Sequence, residues 1–69
     1  MNTTDVLSSI RELATRTADG LHVRLLWSAV EQQAWVSVID VKRDQTVSVP
    51  VGENQSALDV FRHPFAYAA

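Results

Sequence analysis

The spacing of hydrophobic residues near the start of the chain predicts an amphipathic helix over residues 5–17. Five apolar or semi-polar residues recur there at helical spacing: Val6, Ile10, Leu13, Ala14 and Thr17. Such spacing places them on one side of a helix, where they can pack against a core. Asp19-Gly20 follows, and a glycine is typical of the left-handed residue just after a helix ends. We therefore expect the helix to stop at Gly20.

Three later segments alternate apolar and polar residues with a period of two, as strands do. They span residues 21–27, 34–41 and 46–51. The connections at 28–33 and 42–45 are short, which favours an antiparallel meander. Pro50 lacks a backbone N–H group and suits an edge strand.

A second helix is predicted after Ser56, whose hydroxyl can cap it, with Asp59 three residues on. Pro64 disfavours helical geometry at His63, so the helix should end or kink there, and Phe65 and Tyr67 are expected to pin the tail to the sheet. The predicted fold class is therefore α+β: a single domain over residues 1–69. It has a three-stranded antiparallel meander with an N-terminal and a C-terminal helix on one face, in the order α-β-β-β-α.

Strand register decides which residues share a face. Pairing Ser28 with Gln33, and Lys42 with Gln45, brings one apolar set together beneath the helices. Its predicted members are Val23, Leu25, Trp27, Val36, Val38, Val47, Val49 and Val51. In this register Val38 lies opposite Val49. A slip of one residue would move the whole set to the other face, so the register is well specified.

The opposite face keeps large apolar residues that the predicted helices cannot cover. These residues are Leu26, Trp35, Ile39 and Val41, with Arg24 and His22 at their rim. An apolar patch with a tryptophan and a polar rim is typical of a protein interface. We expect a non-catalytic protein-interaction module that forms a homodimer through this face. A different protein partner stays open as an alternative.

Composition narrows the function classes. The 69 residues carry a net charge of −2, which provides no electrostatic attraction to nucleic acid or to anionic membranes. No apolar run approaches the length of a membrane span, and the N-terminus lacks the basic start of a secretory signal. A cytoplasmic protein is therefore expected. With no cysteine and two histidines, neither a metal nor another cofactor is predicted.

Two other function classes remain as alternatives. The order α-β-β-β-α is that of double-stranded-RNA-binding domains, although the lysine cluster that opens their last helix is missing here. An enzyme or ligand-binding domain is the less favoured alternative. His22 is expected near Asp40 or Ser37, but a flat sheet offers no cleft and the spacing supports no Ser-His-Asp set. Gly20 and Gly52 do not form a phosphate loop.

Two segments carry a resemblance to a known group. The run at residues 57–68, with its His-Pro-Phe-Ala-Tyr ending, and the segment at residues 14–20 resemble small uncharacterised actinobacterial proteins. The resemblance implies an actinobacterial, cytoplasmic origin and brings no activity with it. The final Ala68-Ala69 also resembles the ending of tags that bacterial AAA+ proteases recognise, which would make the protein short-lived.

Overall fold

A computed structural model describes residues 9–68 as one four-stranded antiparallel sheet followed by two short helices. The strands lie in the order β1-β2-β3-β4, each beside its neighbour in sequence. The bounds are β1 Ile10–Ala18, β2 Leu21–Ser28, β3 Gln33–Asp40, β4 Gln45–Pro50, α1 Ala57–Arg62 and α2 Pro64–Tyr67. The predicted class of three strands between two helices is therefore wrong.

The predicted N-terminal helix is replaced by strand β1, apart from residues 5–8, which lie outside the described residues. Asp19 and Gly20 have φ angles of 53° and 79°, and Ala18 pairs with Leu21 across them. Two successive residues with positive φ form the tight turn that suits the twist of a β-hairpin. The Asp-Gly pair therefore folds β1 back onto β2 rather than ending a helix.

A β-bulge explains why β1 did not read as a strand. The pairing with β2 shifts between Glu12 and Ala14, so Leu13 is the extra residue. Glu12 pairs with Leu26, whereas Ala14 pairs with Leu25, on the other side of the sheet. Because a bulge moves the following residues to the opposite face, the period of two is broken inside β1, and helical spacing resulted by coincidence.

The pairing of β2 with β3 follows the predicted register, with Ser28 opposite Gln33 and Val23 opposite Val38. The predicted register of β3 with β4 is wrong by two residues, because Val38 lies opposite Val47 instead of Val49. The loop occupies residues 41–44, where the carboxylate of Asp40 accepts a hydrogen bond from the Arg43 backbone N–H at 3.1 Å. A shift of two residues leaves every side chain on its predicted face.

The core lies between one face of the sheet and α1, and we name this side the covered face. Buried residues from three strands and the helix form it: Val23, Leu25, Val36, Val38, Val49, Val60 and Phe61. Val47 and Val51 are partly buried against this cluster, and Trp27 is half-buried. The predicted apolar set thus supplies most of the core, and among residues 9–68 the C-terminal helices alone cover it.

The C-terminal segment follows the prediction in part. The Ser56 hydroxyl accepts a hydrogen bond from the Asp59 backbone N–H at 3.3 Å and caps α1, and α1 ends before His63 as expected. Pro64 then begins the short helix α2. Tyr67 packs against the core and donates a hydrogen bond to the Asp59 carboxylate. Phe65 was expected to pin the tail, but it is 58% exposed.

Candidate interaction face

The second side of the sheet, which we name the open face, faces away from both helices. Strand pairing places there the side chains of Ile10, Glu12, Thr15, His22, Arg24, Leu26, Trp35, Ser37, Ile39 and Ser48. Within residues 9–68, both helices lie on the covered face and no other element packs against the open one. The open face is therefore the part of the described sheet available to a partner.

The structure distributes the predicted interface residues unevenly. Trp35 and Ile39 lie on the open face and are half-buried. Leu26 is only 7% exposed, because β2 is an interior strand and Leu26 is flanked by Glu12 on one side and Trp35 on the other. Val41 is 70% exposed but lies in the turn after β3. Leu26 can therefore contribute little area to a contact.

The polar residues on the open face largely bind one another. Arg24 Nε donates to Glu12 Oε1 at 3.0 Å, and the two side chains are 38% and 44% exposed. His22 Nε2 and Thr15 Oγ1 lie 3.1 Å apart across β1 and β2. An exposed ion pair contributes at most about 1 kcal/mol, but it leaves the centre of this face without net charge.

A recess of about 290 Å³ opens beside Trp35, where β1 meets the turn between β2 and β3. Its lining residues are Ser9, Ile10, Ser28, Val30, Glu31 and Trp35. Ile10 and Val30 are 39% and 63% exposed, and neither was predicted to belong to the interface. The sequence signal for Val30 is a large apolar residue, next to Ala29, in a turn that is otherwise polar.

Local hydrogen bonds hold that turn in place. The buried hydroxyl of Ser28 accepts the Glu31 backbone N–H at 3.2 Å, and Gln32 takes a positive φ of 51°. The Gln33 side chain donates to the carbonyl oxygens of Ala34 and Val51 at 2.6 and 2.9 Å. Val30 is thus carried on a fixed turn at the rim of the recess.

The structure does not bring His22, Ser37 and Asp40 together. Ser37 pairs with Arg24, two residues along β2 from His22. Asp40, which was expected near His22, pairs with Leu21 at the end of β3, on the covered side of the sheet. There the Arg43 backbone N–H lowers the pKa of the Asp40 carboxyl below its usual value. Within residues 9–68, no three His, Asp or Glu side chains cluster closely enough to hold a metal ion.

Comparisons with known proteins identify no relative of this chain. No family model matches the chain, and neither the curated proteins nor the solved structures contain a match. The resemblance to the actinobacterial proteins therefore stays a prediction. Among residues 9–68, neither helix has the length and apolar character needed to cross a bilayer.

Proposed function

We propose that this protein is a non-catalytic interaction module that pairs with a second copy of itself through the open face. The observation that carries the proposal is the recess beside Trp35, with the exposed side chains of Ile10 and Val30 at its rim. In a two-fold symmetric pair, the same surface serves as both partners. An apolar side chain at the rim of one copy can then enter the recess of the other.

Charge supports a second copy over a strongly charged partner. Glu12 and Arg24 form an ion pair within the open face, so two copies can approach without opposing like charges. A nucleic acid would instead need free cations facing it, and on this face Arg24 is already paired. The order of elements that suggested double-stranded-RNA-binding domains is also absent from residues 9–68.

The size of the face sets the strength of the expected association. Four strands about 4.8 Å apart and eight residues of about 3.3 Å each give a face of roughly 500 Å². A stable interface of standard size buries about 800 Å² on each partner. The whole open face would be needed to approach that area, so we expect a weak dimer whose population rises with concentration.

Sedimentation velocity over protein concentrations from about 10 µM to about 1 mM tests this proposal. The wild type should shift from monomer toward dimer, and Trp35→Asp should remain monomeric because it places a charge in the contact. Trp35 is half-buried, so Val30→Asp provides a second variant in the exposed turn. Circular dichroism establishes that each variant folds.

Leu58→Asp is the matched control, because Leu58 is 55% exposed on α1, away from the open face. It should dimerise like the wild type. A wild type that stays monomeric at the highest concentration contradicts the proposal. The proposal is also contradicted if folded Val30→Asp dimerises as well as Leu58→Asp. The predicted cytoplasmic location is a separate proposal, which cell fractionation tests.

A further inference from the structure

A second recess, of about 380 Å³, lies on the covered face between the β1–β2 hairpin and the junction of the two helices. Its apolar walls are Leu21, Val23, Pro64, Phe65 and Ala66. If each non-hydrogen atom takes roughly the 30 Å³ of a liquid water, the recess holds about a dozen such atoms. That volume is at the small end of the range for ligand sites.

Basic side chains complete the lining of this recess. They are Arg16 from β1, Arg62 from the end of α1, and His63 between the helices, and no carboxylate joins them. The whole chain is net acidic, at −2, so the local excess of basic groups does not follow from composition. Asp59, three residues before Arg62, accepts a hydrogen bond from Tyr67.

Two hydrogen bonds hold the Arg16 side chain in place, and other N–H donors of its guanidinium remain unused. Its Nη2 donates to the carbonyl oxygens of Phe61 and Arg62 at 2.9 and 3.2 Å, and its guanidinium lies 5.3 Å from the centre of the Phe61 ring. A guanidinium has five N–H donors, and these two bonds use only the pair on Nη2. Within residues 9–68, the buried Nε has no acceptor and Nη1 makes no hydrogen bond.

Phe65 supports a ligand from the apolar side. It is 58% exposed although it lines the recess, so its ring is available to a bound molecule. A fixed cationic group beside apolar walls matches a molecule with an apolar body and one anionic end. Neither the strand register nor the helix caps require a cationic group and apolar walls to lie together in one recess.

We propose that the recess on the covered face binds a small organic monocarboxylate with an apolar body of about ten carbon atoms. The body lies against Leu21, Val23 and Phe65, and the carboxylate points toward Arg16, Arg62 and His63. This site is separate from the open face, so binding and self-association can succeed or fail independently.

The test uses 1-naphthaleneacetate as the probe, with 1-naphthaleneacetamide as a neutral molecule of the same shape. Titration of the ¹⁵N-labelled full chain, followed by amide chemical shifts, gives both the affinity and the location. The acid should move the amides of Arg62, His63, Phe65 and Ala66 and those of Leu21 and Val23. It should also bind about tenfold more tightly than the amide, the effect of one charge-assisted hydrogen bond.

Three variants separate the contribution of charge from non-specific binding to apolar surface. Arg62→Gln should weaken binding of the acid several-fold and leave the amide unchanged, because Arg62 is exposed at the rim. Arg43→Gln is the matched control, because Arg43 is also an exposed arginine but lies in the β3–β4 turn, and it should change neither affinity. Ala66→Trp should fill the recess and reduce binding of both compounds.

Three results would overturn the proposal. One is the absence of any shift at millimolar probe. Another is equal affinity for the acid and the amide, which would remove the role of the basic groups. The last is a set of shifts around Ile10, Val30 and Trp35, which would place the probe on the open face instead.

Discussion

Replacing Gly20 with alanine tests the hairpin that distinguishes this fold from the one predicted from sequence. Gly20 has a φ of 79°, in a region where an L-residue with a Cβ atom pays roughly 1–2 kcal/mol. Alanine also restricts the unfolded chain, which offsets about 0.4–1 kcal/mol of that cost. The net loss of unfolding free energy should be about 1 kcal/mol.

The surroundings of Gly20 add little to this value. A Cβ atom there would lie 3.1 Å from Cε of Lys42, and this flexible side chain can move aside. For a domain of this size, 1 kcal/mol corresponds to a fall in Tm of about 4–8 °C. Thermal unfolding followed by circular dichroism measures the shift.

Gly52 provides the matched control. Its φ lies outside the left-handed region, and an added Cβ would lie 3.2 Å from Oε1 of Gln55, a movable side chain that accepts the Gly52 N–H. Gly52→Ala should therefore change stability by less than about 0.5 kcal/mol. Gly20→Asn should lose less than half as much as Gly20→Ala, because asparagine tolerates positive φ. Equal losses at Gly20 and Gly52 would refute the assignment of the turn.

Two further predictions concern the core and the β3–β4 turn. Val60→Ala should lower the free energy of unfolding, measured by urea denaturation, by about 2 kcal/mol, because Val60 is fully buried and the variant loses two methyl groups. Leu58→Ala is the control at an exposed position of α1 and should change the free energy of unfolding by less than about 0.5 kcal/mol. Equal losses would contradict the packing of α1 on the sheet. The hydrogen bond from the Arg43 backbone N–H lowers the pKa of the Asp40 carboxyl. The ionised carboxylate therefore stabilises the fold at pH values above 3.8, its usual pKa. That stabilisation is lost as the pH falls through the lowered pKa of the folded state. The difference in Tm between the wild type and Asp40→Asn should therefore shrink between about pH 4 and pH 2, and a difference independent of pH would contradict this.

The parts of the fold predicted correctly are those specified by uninterrupted local patterns. Strands β2 and β3 alternate without a break, so their register and their core valines followed from sequence. The register of β3 with β4 did not, because Asp40, the last residue of β3, closes a turn over residues 41–44, one residue earlier than the predicted turn at 42–45. A side-chain hydrogen bond of this kind leaves no trace in a hydrophobic pattern.

Strand β1 was not predicted, for two separate reasons. The bulge at Leu13 interrupts its alternation, and Asp19-Gly20 serves equally well as a helix end or as a hairpin turn. The β-branched Thr15 and Thr17 favour a strand, but the helical spacing of the apolar residues outweighed them. The burial of Leu26 was missed as a consequence, since β1 flanks it only when residues 10–18 form a strand.

That single misassigned segment also accounts for both proposed sites. As a helix, residues 5–17 would have covered the sheet beside α1, over Leu21 and Val23. As strand β1, residues 10–18 widen the sheet instead, and within residues 9–68 helices of six and four residues cover it. The covered face then keeps a recess between the β1–β2 hairpin and the junction of the two helices, and the open face gains Ile10 at the rim of a second recess. Both sites therefore depend on the hairpin turn at Gly20, so Gly20→Ala should weaken probe binding and self-association together at temperatures close to its lowered Tm, where the folded fraction falls, whereas Arg62→Gln and Val30→Asp should each affect only one.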